Sequence, residues 1–398
     1  MILAKAKRDE LLAPLSAVSG IIERRHTLPI LSNVLIERSG DALGFLATDI
    51  EIQIAARSAI PAGGETRAVT VGARKLLDIL RALPDGAEVT LQQQDKRLQV
   101  KAGKSRFALQ TLAAEDFPRL AKPAGEAAKF KLEQKALRRL LSLVQYAMAQ
   151  QDIRYYLNGL LMVVEEGSLK LVATDGHRLA YAALKLAGEL PRQEVIVPRK
   201  TVLELTKLLA DSDEPVRIEL SATQAAFSFG AIELVSKLLA DSDDEVRIEL
   251  SATQAGFSFG NVELISKLVD GKFPDYTRVI PTQHKNRLQV GREPLRQALL
   301  RAAILSNEKF RGVRWVLADG ALRIVSSNAE QEEAHEELEV KYAGDALDIG
   351  FNVNYLLDVL NNVAGADVEC AFGDASSSAL ISYATEKDFK YVVMPMRI

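Results

Sequence analysis

A layout that recurs three times along the chain constrains its fold more than any other feature. The segments SNVLIERSGDALGFLATDIEIQIAAR (32–57), NGLLMVVEEGSLKLVATDGHRLAYAAL (158–184) and RGVRWVLADGALRIVSSNAEQEEAHEEL (311–338) each read strand, turn, strand, then a Thr/Ser–Asp/Asn pair. Those pairs are Thr48-Asp49, Thr174-Asp175 and Ser327-Asn328. Each segment leads into a short strand and a helix, at 69–83, 195–210 and 349–363, where Asp78, Glu204 and Asp358 hold matching places. Each is preceded by a helical pattern, at 8–25, 133–149 and 292–305. In the second of these, Leu137, Leu140, Leu141 and Val144 recur at the spacing of one apolar helix face.

A second repeat is short and sharp. Residues 207–236 are followed at once by a copy, 237–266, that differs at six positions. The two long spacings between the Thr/Ser–Asp/Asn pairs are 126 and 153, and removing 30 from the second nearly equalises them. The tandem copy therefore stretches one unit of a threefold chain. A length of 398 residues accommodates several domains. Polar, turn-rich stretches at 121–129 and 281–286 mark boundaries. The expectation is three similar domains, 1–127, 128–285 and 286–398, the middle one enlarged. Each is of α+β class, antiparallel sheet with two helices. A Rossmann-like sheet is the weaker alternative, because most strands read as hairpin-connected. One tandem copy is expected to complete the middle domain, the other to form an extra hairpin or excursion between 207 and 266.

The 50 Lys+Arg and 53 Asp+Glu leave a net charge of −3, which excludes a uniformly basic nucleic-acid binder but not one with segregated charge. Basic residues fall on the polar sides of five of the six expected helices: Arg24 and Arg25; Arg74, Lys75 and Arg81; Lys135, Arg138 and Arg139; Arg199, Lys200 and Lys207; Arg292, Arg296 and Arg301. For one helix this is an ordinary solvated face. For five it points to a shared cationic surface that attracts phosphates without reading sequence. Residues 96–106 carry five basic groups and no acid, while 330–339 carry six Glu. A head-to-tail contact between chains would pair these blocks.

Catalytic signatures are missing. Gly103-Lys104-Ser105 imitates the end of a phosphate loop, but Leu98 stands where the motif needs Gly. There is no HExxH, CxxC or GxSxG, and the four His are scattered. Asp175-Gly176 between apolar runs reads as a turn. One cysteine, Cys370, fits a reducing compartment. The start has no signal-peptide pattern and no apolar run reaches membrane-spanning length. The expectation is a cytoplasmic binding protein, not an enzyme, with no metal, cofactor or membrane.

The strings QDIRYYLNG (151–159), ATDGHRLA (173–180), VIVPRK (195–200), SKLVDGKFPDYTRVIP (266–281), AAILSNEKFRGVR (302–314), NAEQEEA (328–334), FNVNYLLDVLN (351–361) and YVVMPMRI (391–398) closely resemble the beta sliding clamps of bacterial DNA polymerase III. The tandem copy departs from that family's pattern. The resemblance implies a head-to-tail homodimeric ring of two chains around double-stranded DNA, with helices lining the bore. It also implies tethering of the replicative DNA polymerase, loading by a separate clamp loader ATPase, and further clients carrying clamp-binding motifs. Helix width agrees with two chains: six helices about 10 Å across leave a bore of only about 9 Å, and twelve leave one near about 28 Å. The resemblance assigns DNA contacts to Arg25, Gln151, Arg154, Tyr155, Tyr156, Arg199 and Lys200. It assigns a peptide pocket to Leu157, Thr174, Gly176, His177, Arg178, Leu179, Pro274, Arg278, Val279, Ser378, Val392, Val393, Met394, Pro395, Met396, Arg397 and Ile398. The ring seam would set Arg97, Lys104, Arg106, Phe107 and Leu109 against Ile304, Leu305, Glu330, Glu332, Glu333 and Glu336. The alternative is a clamp-like peptide-binding scaffold unable to close on DNA.

Overall fold

The computed structural model describes residues 2–22, 28–60, 66–120, 128–188, 190–209, 211–213, 215–220, 225–228, 250–251, 254–259, 262–267, 269 and 272–398. The chain forms two compact units. One comprises Met1–Arg138, Val163–Gly167 and Leu186–Asp270; the other comprises Arg139–Met162, Ser168–Lys185 and Gly271–Ile398. Among the described residues there are six α-helices: α1 (Arg8–Val18), α2 (Ala73–Ala82), α3 (Gln134–Val144), α4 (Arg199–Leu208), α5 (Arg292–Ile304) and α6 (Val353–Asn362). No helix among them is long and apolar enough to cross a membrane.

In the first unit, strands run in the order Ile2–Lys7, Glu88–Gln94, Arg97–Ala102, Ser105–Leu112, Arg67–Gly72, Asn33–Ser39, Ala42–Thr48, Ile52–Ala59, Val262–Lys267, Gln254–Phe259 and Leu250–Ser251. Helix α1 buries Leu11, Leu15 and Val18, and α2 buries Leu76, Leu77 and Leu80. These positions are three and four apart, so each helix turns one apolar stripe to the core. Helix α1 ends sooner than its apolar pattern suggests. At Ser19-Gly20, residues poor at continuing a helix, the backbone tightens into a 3₁₀ turn, Ser19–Ile21.

The tandem copies enter two sheets. Pro215–Leu220 of the first copy pairs with Ala128–Glu133 on one side and Ala225–Ser228 on the other. Val262–Lys267 of the second copy pairs with Ile52–Ala59 and with Gln254–Phe259. The expected excursion falls largely on 229–249, outside the described residues. Because the copies are nearly identical, one set of strands has the sequence to meet both anchor strands. Deleting 237–266 is therefore expected to give a 368-residue chain that folds. Its stability should lie within about 1 kcal/mol of the parent or above it, since a shorter connection costs less entropy. Thermal denaturation of the two chains checks this; collapse of the shortened chain would refute it.

In the second unit, strands run in the order Ser168–Thr174, Arg178–Lys185, Phe389–Val393, Ala379–Ser382, Asp367–Phe372, Asn286–Gly291 and Lys341–Tyr342. A separate sheet has the order Glu333–Glu339, Ala321–Ser327, Gly312–Ala318 and Leu347–Asn352. Its aromatic core sets Trp315 edge-on to Phe351, with ring centroids 5.5 Å apart. Helix α5 buries Leu295, Ala298, Leu299 and Ala302, and α6 buries Leu356, Val359 and Leu360.

The threefold pattern survives at atomic detail. Thr48 Oγ donates to the Ile52 carbonyl (2.8 Å), and Thr174 Oγ donates to that of Arg178 (2.6 Å). Asp49 Oδ1 accepts from the Glu51 and Ile52 amides, Asp175 Oδ1 from those of His177 and Arg178, and Asn328 Oδ1 from those of Glu330 and Glu332. A short polar side chain that mimics a turn is why Asp or Asn recurs there. Helix ends repeat as well. Arg8 Nε donates to the Leu80 carbonyl at the end of α2, and Arg292 Nη1 to the Leu360 carbonyl at the end of α6, each at 2.9 Å. A guanidinium satisfies the orphan carbonyls and complements the helix dipole. Helix α6, which has no basic residue in its last turn, also receives Arg139 Nη1 on the Asn362 carbonyl at 2.8 Å.

Candidate functional site

The second unit holds a cavity of about 220 Å³. Strand Arg178–Lys185 pairs antiparallel with Phe389–Val393, setting Leu179 opposite Val392 on its floor. The Met394 amide donates to the His177 carbonyl at 2.9 Å, which fixes the last strand against the Thr174–Leu179 turn. Segment 273–279 forms another wall. Asp275 caps its 3₁₀ turn by accepting from the Thr277 amide, and Tyr276 stacks on Tyr181 with centroids 5.9 Å apart. Tyr156 and Leu157 complete it. Gly176 has φ +90°, a left-handed backbone that glycine adopts without strain, and a Cβ there would stand 2.9 Å from the Arg154 guanidinium.

Of the expected pocket residues, Leu157, Thr174, Gly176, His177, Arg178, Leu179, Pro274, Val279, Val392 and Met394 line the cavity. Arg154, Tyr156, Phe273 and Tyr276 line it too, although two were expected only at DNA and two not at all. Arg278, Ser378, Val393, Pro395, Met396, Arg397 and Ile398 lie outside its lining. The reasons are local. Side chains alternate along a strand, so Val393, fully buried, faces away from Val392 and Met394. Arg278 is exposed and pairs with Asp275 (3.0 Å). The Ser378 carbonyl contacts His284 Nε2 at 2.7 Å. The tail beyond Met394 crosses Gly350, where the Met396 amide donates to the Gly350 carbonyl at 2.8 Å.

Arg178 lines the cavity as expected, and its donors are taken by the protein itself. Its side chain is only 9% exposed. Nε donates to Asp175 (3.0 Å), Nη2 to the Tyr146 carbonyl (2.7 Å) and Nη1 to Asp358. The guanidinium carbon lies 4.5 Å from the Tyr355 ring centroid. Burial would lower its pKa, but Tyr391, Asp358 and Asp175 outweigh burial and raise it. This cation is committed to the protein and shapes the cavity from beneath. The remaining lining is mostly apolar, with exposed His177 at the rim. Such a surface accepts one or two large apolar side chains of an extended peptide.

Gln151, at φ +56°, and Tyr155, 57% exposed, lie on the loop that follows α3. Arg154 on that loop binds Asp152 through Nε (3.0 Å) and Nη2 (2.9 Å). These hydrogen bonds from Arg154 hold the half-buried Asp152 carboxyl down to about 2. A depressed carboxylate contributes order above its unfolded pKa and loses it as pH falls through the folded value. The loop should therefore stay paired at pH 5 and release toward pH 2. A carboxyl-carbon NMR titration of Asp152 is expected to show its midpoint near 2, and a midpoint at 3.8 would contradict the pairing.

Arg25 lies outside the described residues. Arg199 and Lys200 open α4, and Lys200 Nζ is bonded to Asp49. Much of the basic character seen on the helices is internally balanced. Lys135 pairs with Asp213, Lys207 with Glu204, Arg296 with Glu293 and Arg301 with Glu336. Arg74, Lys75, Arg81 and Arg138 are exposed.

Strand Ser105–Leu112, with Arg106, Phe107 and Leu109, meets Arg67–Gly72 only through Leu112 and Thr111. Among the described residues, most of its length is paired on one side alone, with the strand holding Arg97; Lys104 sits in the intervening turn. In the other unit, acidic strand Glu333–Glu339 ends its sheet and, among the described residues, pairs only with Ala321–Ser327. Glu330, Glu332 and Glu333 are exposed, Leu305 is half-buried and Ile304 is 76% exposed. Glu336 instead takes both Arg301 nitrogens, Nε at 2.8 Å.

Comparison with known proteins covers the whole chain. The DNA polymerase III beta subunit N-terminal domain matches residues 4–121, and its C-terminal domain 277–397. The central domain matches twice, over 131–241 and 231–275, an overlap that follows from the tandem copy. The chain is 45% identical over 396 residues to the beta sliding clamp of Pseudomonas aeruginosa, covering 98% of this chain and 99% of that one. It is 43% identical over 392 residues to that of Escherichia coli, with coverage of 98% and 99%. The crystal structure of the Pseudomonas aeruginosa subunit superposes with a TM-score of 0.88 at 43% identity, covering 100% of both chains. A similar Pseudomonas aeruginosa clamp, TM-score 0.88, 43% identical and covering 100% of both chains, was solved bound to griselimycin. The apolar cavity, the two half-paired strands of opposite charge and the threefold turns thus sit in a chain that belongs to the DNA polymerase III beta subunit family, the beta sliding clamps.

Proposed function

We infer that two copies of this chain close head to tail around duplex DNA and act as a non-catalytic processivity factor in the cytoplasm. Clients, the replicative polymerase and a loader ATPase among them, dock by peptides in the 220 Å³ cavity. The observation that carries the reading is family similarity along the full chain, joined to a preformed apolar cavity where that family's motifs fall. Three domains near 1–127, 128–285 and 286–398 are part of this reading; matches to three family domains support the number three, the last of them beginning at 277. Ser105–Leu112 meeting the partner's Glu333–Glu339 would extend the sheets across the seam, with Phe107 and Ile304 supplying apolar area. Enclosure removes the need for tight phosphate contacts, so a net charge of −3 is no obstacle. What attraction there is should weaken with salt.

The deciding measurement is retention after loading on nicked circular plasmid compared with the same plasmid cut once. Retention on the circle at salt concentrations that strip non-specific binders, with loss from the linear form, is expected. Equal loss from both, with ligand binding intact, would favour the scaffold that does not close.

A further inference from the structure

We propose that Asp358, which does not line the cavity, is a positioning residue for ligand capture there, acting through Arg178. The inference rests on the peptide-site reading and deepens it. Arg178 stands at the strand end of the Thr174–Leu179 turn, and its side chain is 9% exposed. Two carboxylates and one carbonyl take its donors: Asp175 within the turn, Asp358 on α6, and Tyr146 after α3. Asp175 is committed twice, because its other oxygen accepts the amides of His177 and Arg178. Asp358 is therefore the anion that sets where the guanidinium points, independently of the turn. Tyr355, one turn earlier on α6, lies under the same guanidinium at 4.5 Å.

Removing the Asp358 charge leaves a nearly buried cation one anion short. Its remaining anion is Asp175, and a stronger pull on that carboxylate competes with the amide bonds that shape the turn. The cavity wall, including exposed His177 and Leu179 on the floor, would then shift relative to Val392 and Met394. Because α6 and the turn are separate elements, this effect should register as lost affinity rather than lost fold. Asp358 is 41% exposed, so its own rehydration limits the structural cost of the change.

The test uses the full chain, with griselimycin and a fluorescein-labelled pentapeptide ending in Leu-Phe as probes. Asp358→Asn is expected to weaken both about tenfold, a size typical of coupling through one packed partner. Asp358→Glu should recover most of the loss. In a double-mutant cycle, Arg178→Lys together with Asp358→Asn should be no worse than the weaker single variant, since both break one linkage. Wild-type affinity in Asp358→Asn, or strictly additive losses, would overturn the proposal. Failure of the wild-type chain to bind either probe would instead overturn the peptide-site reading.

Discussion

Replacing Arg178 by Met should destabilise the second unit by about 3 kcal/mol and abolish ligand capture in the cavity. Removing one member of a buried ion pair typically costs about 3–5 kcal/mol, because the partners stay desolvated without compensation. Here the lower figure applies. Asp358 can turn to water, whereas Asp175, 17% exposed, cannot do so fully. Methionine keeps much of the volume between Tyr146 and Tyr355, so cavity formation adds little. Calorimetry of the full chain should show one transition moved several degrees lower, with titration of griselimycin giving no binding signal. An unchanged melting profile would mean that the guanidinium is a bystander.

The second large effect is expected at Gly350. Its φ is ordinary, so strain is not the issue; space is. A Cβ there would lie 2.4 Å from the Met396 carbonyl oxygen, a backbone atom that cannot step aside as a side chain can. Gly350→Ala should therefore break the Met396–Gly350 backbone bond and lift the tail beyond Met394, at a cost of about 1–3 kcal/mol. Gly312 is the control, because its added Cβ meets flexible side-chain ends, Ile398 at 3.3 Å and Met396 at 3.8 Å, and no backbone atom as near. Hydrogen exchange at the Met396 amide, which donates to the Gly350 carbonyl, is expected to accelerate sharply in the first variant and barely in the second. Equal protection in both would show that the tail is anchored elsewhere.

Much of this arrangement could be read from the chain. The Thr/Ser–Asp/Asn pairs were legible because turn chemistry is local: the side chain bonds amides two to four residues on. Helix faces followed from apolar spacing for the same reason. Helix α1 ended early because the apolar pattern carried past Ser19-Gly20, where backbone preference prevailed over periodicity. The cavity was legible in its strand and turn residues. It was less so at Phe273 and Tyr276, whose only sequence signal is the Asp275-x-Thr277 cap that turns the chain there. The commitment of Arg178 could not be read at all, since Asp358 lies 180 positions away. The one hint was that Asp358 shares its place with Asp78 and Glu204. Charge placement was similarly opaque. Glu336 looks like part of an acidic block, yet Arg301, 35 positions earlier, claims it.

The three corner turns carry one more consequence. Each closes its Asp or Asn side-chain bonds to backbone amides within about five residues, so the course of the backbone around the corner is set locally. Selection could therefore rewrite whatever abuts a corner while the corner itself stayed intact. At one, Lys200 from α4 came to rest on Asp49. At another, beside Asp175, lies the cavity proposed to take client peptides. Local closure in a small motif is what lets one corner scheme sit in three unequal surroundings.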